Sequence, residues 1–486
     1  MVIKLHDTLS REVKALEKRA GEPYKVYVCG PTVYGPAHIG NFITFTRFDV
    51  LYRTLKVAGY EPYYVRNITD VDDKTIKRSQ EEGLSLQAFT EKWTQKFHDD
   101  CAALNLLEPD VEPRATEHLQ EQIDLVEKLI EKGNAYVGGD GSVYYRVTSF
   151  ADYGKLAHFD PEQLRTQDTN SAGTANLADE YEREAVADFA LWKAQKADDG
   201  ANSWPGPRHP ETGERIAGRP GWHLECSAMS MRYLGPSFDL HGGGEDLCFP
   251  HHENEIAQSE AATGETFCRH WMHSTHLLVE GKKMSKSLGN FFTIEDLLEK
   301  GYAPAAIRLA FLQGHYRQQF NFTLSGIDAA KSGLEKLEKG LQPLLEKAGM
   351  SREQFTGLVP PFAENLGAFQ NAWNALCHDL NTPAALGSLF SAVKRASKQA
   401  ETAEDAQAAL RAAATLLFAL GLPLFAAQEA EPEAVEVPSD IAELAERRWQ
   451  AKQSKDFATA DALRAELTEK GWQVLDRKDG YDVVQA

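Results

Sequence analysis

Cysteine is scarce in this chain of 486 residues: Cys29, Cys101, Cys226, Cys248, Cys268 and Cys377 are spread from end to end with no dense spacing. That distribution excludes a disulfide framework and leaves packing or metal ligation as the uses of a thiol. Positive charge is in deficit, 52 Lys and Arg against 72 Asp and Glu, for a net charge of -20. Such a chain meets a nucleic acid only through a local basic patch. Long apolar runs are missing as well. The most apolar stretch, 408–427, is interrupted by Arg411, Gly421 and Pro423, and reads as a buried helix with its exit turn. The opening residues carry Asp7, Arg11 and Glu12 where a signal peptide needs aliphatics, so the expectation is a cytoplasmic protein with no membrane partner.

What is present describes an ordinary globular protein, 42% hydrophobic and 26% charged, long enough for about three or four domains. "YKVYVCG" at 24–30 alternates as a strand should, the glycine and proline at 30–31 break it, and 39–60 follow with helical periodicity. "EPYYVRNITDVDDK" then reads as a second strand ending in an acidic loop. β-turn-α-β opens a doubly wound parallel sheet, whose ligands lie at the carboxyl ends of the strands. Residues 84–135 read as amphipathic helix, 135–147 as a hairpin, 158–186 as a mobile insertion, and "HWMHSTHLLVEG" as a strand.

The fold expected is therefore α/β, a Rossmann-type doubly wound parallel sheet with an insertion, followed by an α-helical bundle and a small C-terminal domain. The boundaries expected are 1–115 for the first half of the catalytic domain, 116–222 for a connective insertion and 223–302 for the second half with a lysine loop. A helical bundle follows at 303–425, an acidic linker with five carboxylates and no Lys or Arg at 426–440, and the small domain at 441–486.

Three groups of residues point to chemistry. A helix that begins directly after His38-Ile39-Gly40 offers free backbone N–H groups and partial positive charge to a phosphate. "KMSKS", 283–287, sets Lys283 and Lys286 on a loop, cations suited to the charge that develops on transferring phosphates. Cys29, Cys226 and the i, i+4 pair His251 and Glu255 make a donor set that suits tetrahedral zinc, with Cys248 and His252 as competing ligands nearby.

The pairing of His-Ile-Gly with Lys-Met-Ser-Lys-Ser resembles the two signatures of the class I aminoacyl-tRNA synthetase family, and the four donors make its cysteinyl branch the closest likeness. The resemblance implies activation of L-cysteine with ATP to an adenylate and transfer to the 3′ end of tRNA(Cys). It implies one Zn²⁺ per chain on Cys29, Cys226, His251 and Glu255, holding the substrate thiolate, and Mg²⁺ with ATP. His38, Asn41, Lys283 and Lys286 would be catalytic; Gly40, Gly243, Asp246 and Lys286 would bind ATP; Thr69 and Trp222 would line the cysteine pocket. Asn41 departs from the histidine of the parent signature, and its amide donates a hydrogen bond but no charge. The loose stretch before "DFALWK" also departs from the family's pattern and leaves the geometry of 150–220 open.

Two rivals share features with this reading: a cysteine ligase with a small amine acceptor, as in mycothiol synthesis, and a non-catalytic nucleotide or tRNA sensor. Arg447, Arg448, Trp449 and Lys452 at the head of the tail, basic and aromatic together, favour a tRNA acceptor.

Overall fold

The computed structural model describes residues 2–159, 188–285, 288–358, 366–425, 438–454, 456–477 and 480–485. The segment 158–186 expected to be a mobile insertion therefore lies almost wholly outside the described residues, as do Lys286 and nearly all of the acidic linker. The chain forms two compact units, Met1–Leu424 and Phe425–Ala486.

The first unit is built on a parallel sheet whose spatial order is Trp271–Ser274, Leu240–Gly244, Tyr24–Val28, Pro62–Arg66. The first and third strands in chain order are neighbours, so connections leave in opposite directions there and a crevice opens at their carboxyl ends. The strands read as near-continuous apolar runs because both faces are covered. Tyr27, Val28, Val65, Leu240 and Met272 are each fully buried. The helix Ile39–Val57 returns across one face, with Ile39, Phe42, Ile43, Val50 and Leu55 fully buried.

Residues 84–135 are two helices rather than one. Leu86–Ala103 and Leu119–Glu131 are separated by a segment that runs parallel to the sheet edge, pairing Val111 with Val65 and Arg114 with Ile68. Pro109 and Pro113 in "EPDVEP" disfavour helix in the residues before them and force this extended path. The hairpin Ala135–Val137 with Val143–Tyr145 grows into a five-stranded antiparallel sheet with Phe189–Ala194, Arg215–Pro220 and Trp204–Arg208.

The stretch expected as one strand after residue 270 is two. Trp271–Ser274 ends the central sheet, Thr275 donates its amide to Tyr316 O at 2.8 Å, and Leu277–Val279 starts a second sheet with Lys282–Lys283 and Phe320–Phe322. Beyond it the described residues up to Leu420 are mainly helical, the longest element among them being Leu324–Ala348. Among the described residues no helix is long and apolar enough to cross a membrane.

The second unit holds the helices Ser439–Gln453 and Phe457–Glu469 and an antiparallel hairpin of Trp472–Arg477 with Gly480–Gln485. Its core comprises Ile441, Leu444, Ala445, Leu463, Leu467, Trp472 and Val474.

Candidate active site

The helix Ile39–Val57 starts with a reciprocal cap. His38 Nδ1 accepts the Asn41 amide at 3.3 Å, and Asn41 Oδ1 accepts the His38 amide at 3.1 Å. Asn41 therefore uses its side-chain oxygen to fix the turn, a role its residue type carries out without charge. Burial pushes the His38 imidazole below its ordinary pKa, against the opposing pull of Asp246, which favours a neutral ring. A Cβ on Gly40 would sit 3.0 Å from the His38 ring and 3.2 Å from Met284 Cε, so the glycine lets the turn and the lysine loop approach each other.

That approach is continued by backbone pairing. Ile39 N–H bonds Phe292 O at 2.9 Å, His38 pairs with Thr293, and the His38 ring packs edge-on against Phe291 at 5.3 Å. Asn290 anchors the loop, accepting Ser285 N–H at 2.9 Å and donating to Lys283 O and Val279 O, both at 3.2 Å. Lys283 is exposed at the end of its strand. Gly243 and Gly244 close the neighbouring strand Leu240–Gly244, and the Asp246 side chain just beyond is 66% exposed with His276 Nε2 at 3.9 Å. The two signature segments and the glycine-rich strand end thus share one crevice.

At its floor lies the donor cluster. Cys29 follows the first central strand, Cys226 projects from the helix Trp222–Leu234, His251 lies in the turn Cys248–His252, and Glu255 stands in the first turn of the helix Glu253–Thr263 that follows it. The four ligand atoms lie within 4.8 Å of one another, and all four residues are buried. Cys29 Sγ is 3.6 Å from Cys226 Sγ and 3.8 Å from Glu255 Oε1, while His251 Nε2 is 3.0 Å from Glu255 Oε1. The hydrogen bond from Cys29, with His251 alongside, holds the Cys226 thiol down to about 6, whereas burial pushes Cys29 well up. Three groups that become anionic surround one imidazole in a site without water access, a donor set that fits a thiophilic dication.

A second grouping of the same kind, Cys29, His241, His252 and Glu255, shares two members with the first. Its histidines have other work: His241 Nε2 holds Glu255 Oε2 at 2.9 Å, His252 Nδ1 is tied to His273 Nε2 at 2.8 Å, and His273 Nδ1 in turn meets Thr8 Oγ1 at 2.7 Å. With one thiol instead of two, this set suits a soft ion less well. Cys248 points elsewhere, its Sγ 4.0 Å from Leu156 O, and belongs to neither grouping.

Around the cluster, the Trp222 ring stacks on His251 at 4.2 Å and 29°. Thr69 is buried and its hydroxyl accepts from Asn67 Nδ2 at 3.2 Å, while Asn67 Oδ1 accepts the Gly30 amide at 2.9 Å. A Cβ on Gly30 would fall 1.6 Å from Asn67 O, so only glycine allows that contact. His223, His241, His273, Asn67 and Glu225 join the site without having been singled out by sequence, and His252 joins it as the competing ligand that the sequence offered; "GWHLECS", "HGGG" and "FPHHENE" carried the signal of histidines crowded beside the chosen ligands.

The residues expected to contact tRNA belong to the second unit. Arg447 is exposed, Trp449 is half-buried with its ring 5.7 Å from Tyr481, and Lys452 Nζ lies 5.9 Å from the Trp449 ring. Arg448 is buried, 4% exposed, and so is not on the face that Arg447 presents.

A doubly wound sheet on which a His-Ile-Gly helix start meets a Lys-Met-Ser loop defines a class I tRNA synthetase catalytic domain. The family described as tRNA synthetases class I (C) catalytic domain matches residues 15–332, and a DALR domain matches 373–424. Over 489 residues the chain is 49% identical to a cysteine–tRNA ligase of Opitutus terrae, and over 484 residues 41% identical to one of Chlamydia caviae, covering 97–100% of each. The protein belongs to the cysteine–tRNA ligase family. Its fold is also that of a Mycobacterium tuberculosis methionyl-tRNA synthetase in complex with methionyl-adenylate, at a TM-score of 0.55 and 17% identity over 82% of this chain and 90% of that one.

Proposed function

We propose that the protein activates L-cysteine with ATP, releasing pyrophosphate, and transfers the cysteinyl group from the adenylate to the terminal adenosine of tRNA(Cys). The observation that carries the amino-acid choice is the buried convergence of Cys29, Cys226, His251 and Glu255 at the crevice floor. Zn²⁺ held by these four would supply a soft Lewis acid that takes a thiolate and has far less affinity for an alcohol. Serine differs from cysteine by one atom, and a pocket that reads size alone gains only about 1–3 kcal/mol from such a difference.

The rest is assigned to the chain's own groups. Gly40, at the positive end of the helix Ile39–Val57, receives phosphate, with neutral His38 as hydrogen-bond partner. Lys283 and Lys286 bring positive charge to the phosphates from the opposite side, beside the Mg²⁺ that accompanies ATP. Gly243 leaves room for the nucleoside and Asp246 accepts from its ribose hydroxyls. Thr69 and Trp222 wall the cysteine pocket. In the second unit Arg447, Trp449 and Lys452 offer charge and a stacking face to single-stranded tRNA. The test is ATP–pyrophosphate exchange followed by charging of tRNA(Cys). Exchange is expected with L-cysteine and not with L-serine, and exchange indifferent to the amino acid would overturn the reading.

A further inference from the structure

Cysteine carries an α-ammonium, and none of the groups assigned so far neutralises it. Resting on the reading of the crevice as a cysteine-activation site, we propose that Glu225 is a specificity-determining residue that receives this ammonium beside the Thr69 hydroxyl. Glu225 immediately precedes Cys226 on the helix Trp222–Leu234. Its side chain is 1% exposed, yet neither carboxylate oxygen has a hydrogen-bond partner among the described residues.

Other buried carboxylates in this unit are satisfied by the protein. Glu253 accepts from the amides of Gly154, Leu156 and Ala157 at 2.8–2.9 Å, and Asp70 accepts from Thr116 N at 2.9 Å. A buried carboxylate without a donor is costly in a fold, and it becomes favourable when a cation arrives from outside. Burial, followed by the like charges of Cys226, Asp72 and Asp70, pushes the Glu225 carboxyl well above its ordinary pKa, with the Thr69 hydroxyl pulling the other way, so its ionised form needs a cation brought in from outside. The nearby cations are engaged elsewhere: Lys193 Nζ bonds Asp73 Oδ2 at 2.9 Å, and Arg219 pairs with Asp73 and Asp199. Thr69 accepts from Asn67, so its own hydroxyl proton is free to turn toward the carboxylate. Carboxylate and hydroxyl together form a cradle for a primary ammonium at the cysteine pocket.

The experiment compares two thiols that differ by an ammonium in place of a methyl group, cysteamine and 1-propanethiol, as competitors of L-cysteine in ATP–pyrophosphate exchange. Wild-type protein is expected to bind cysteamine about 10- to 100-fold more tightly, the range of a charged hydrogen bond. In Glu225→Gln the preference falls to near unity, with 1-propanethiol affinity and zinc content unchanged, and Glu225→Asp restores part of it. Equal inhibition of the wild type by the two thiols overturns the proposal, as does a preference that survives in Glu225→Gln. Should Glu225→Gln lose its metal, the wild-type comparison and Glu225→Asp decide. Absence of any cysteine-dependent exchange in the wild type would instead sink the activation reading itself.

Discussion

Asp7 is fully buried, and its carboxylate accepts from Ser10 N at 3.1 Å, Trp271 N at 2.9 Å and Lys14 Nζ at 2.6 Å, tying the N-terminal hairpin to the last strand of the central sheet. Burial alone would raise its pKa, but the Lys14 ammonium, the Trp271 amide and the Ser10 hydroxyl outweigh burial and hold it at about 2, below the ordinary 3.8. Because the folded value is the lower one, Asp7 contributes stability that is complete above about pH 4 and is lost as pH falls toward 2. Thermal unfolding of wild type and Asp7→Asn at pH 7 and pH 3 checks this. The variant is less stable at pH 7 and the gap narrows at pH 3; a gap that widens with acid would contradict it. At this scale the convergence of Cys29, Cys226, His251 and Glu255 was legible only when the two thiols and the i, i+4 His and Glu were read together with the two signature motifs. Asn67 and His241 were not legible, since each follows or belongs to a different strand and meets the cluster only when the sheet order brings those strands together.

Where helices meet, a single buried ion cluster does the joining. Asp49 on the helix Ile39–Val57 bonds Arg53 Nε at 2.7 Å and pairs with Arg308 of the helix Pro304–Leu312, all three being nearly inaccessible. Arg308 also donates to Leu104 O and Leu420 O, both at 2.9 Å, and Arg53 to Asn105 O at 2.6 Å, so the helices Leu86–Ala103 and Ala403–Leu420 end against the guanidinium pair that Asp49 holds. Asp49→Asn leaves two buried cations without their counter-ion and is expected to cost about 3–5 kcal/mol by denaturant unfolding. A loss under about 1 kcal/mol would show that the cluster does not join these helices. Elements were legible where periodicity was unambiguous, as in 24–28 and 39–57. The extended path at 109–114 was signalled locally by Pro109 and Pro113 within a stretch whose overall period is helical, while the change of sheet at Thr275 was not legible because its partner Tyr316 is distant in sequence.

Over the whole molecule, the second unit has its own core and its own hairpin, so removal of residues after Leu424 is expected to leave the first unit folded. Cysteine-dependent ATP–pyrophosphate exchange should then survive nearly unchanged, while charging of tRNA(Cys) weakens chiefly in KM and loses salt dependence by about one unit of slope per phosphate contact removed. Charging as efficient as that of the full chain would show that Arg447, Trp449 and Lys452 do not hold tRNA. The account as a whole rests on the crevice floor, and X-ray absorption at the zinc edge of the purified protein, alone and with L-cysteine or L-serine, tests it most directly. Two sulfur ligands are expected from Cys29 and Cys226, rising to three with L-cysteine and staying at two with L-serine; a sulfur count that L-cysteine leaves unchanged would contradict it.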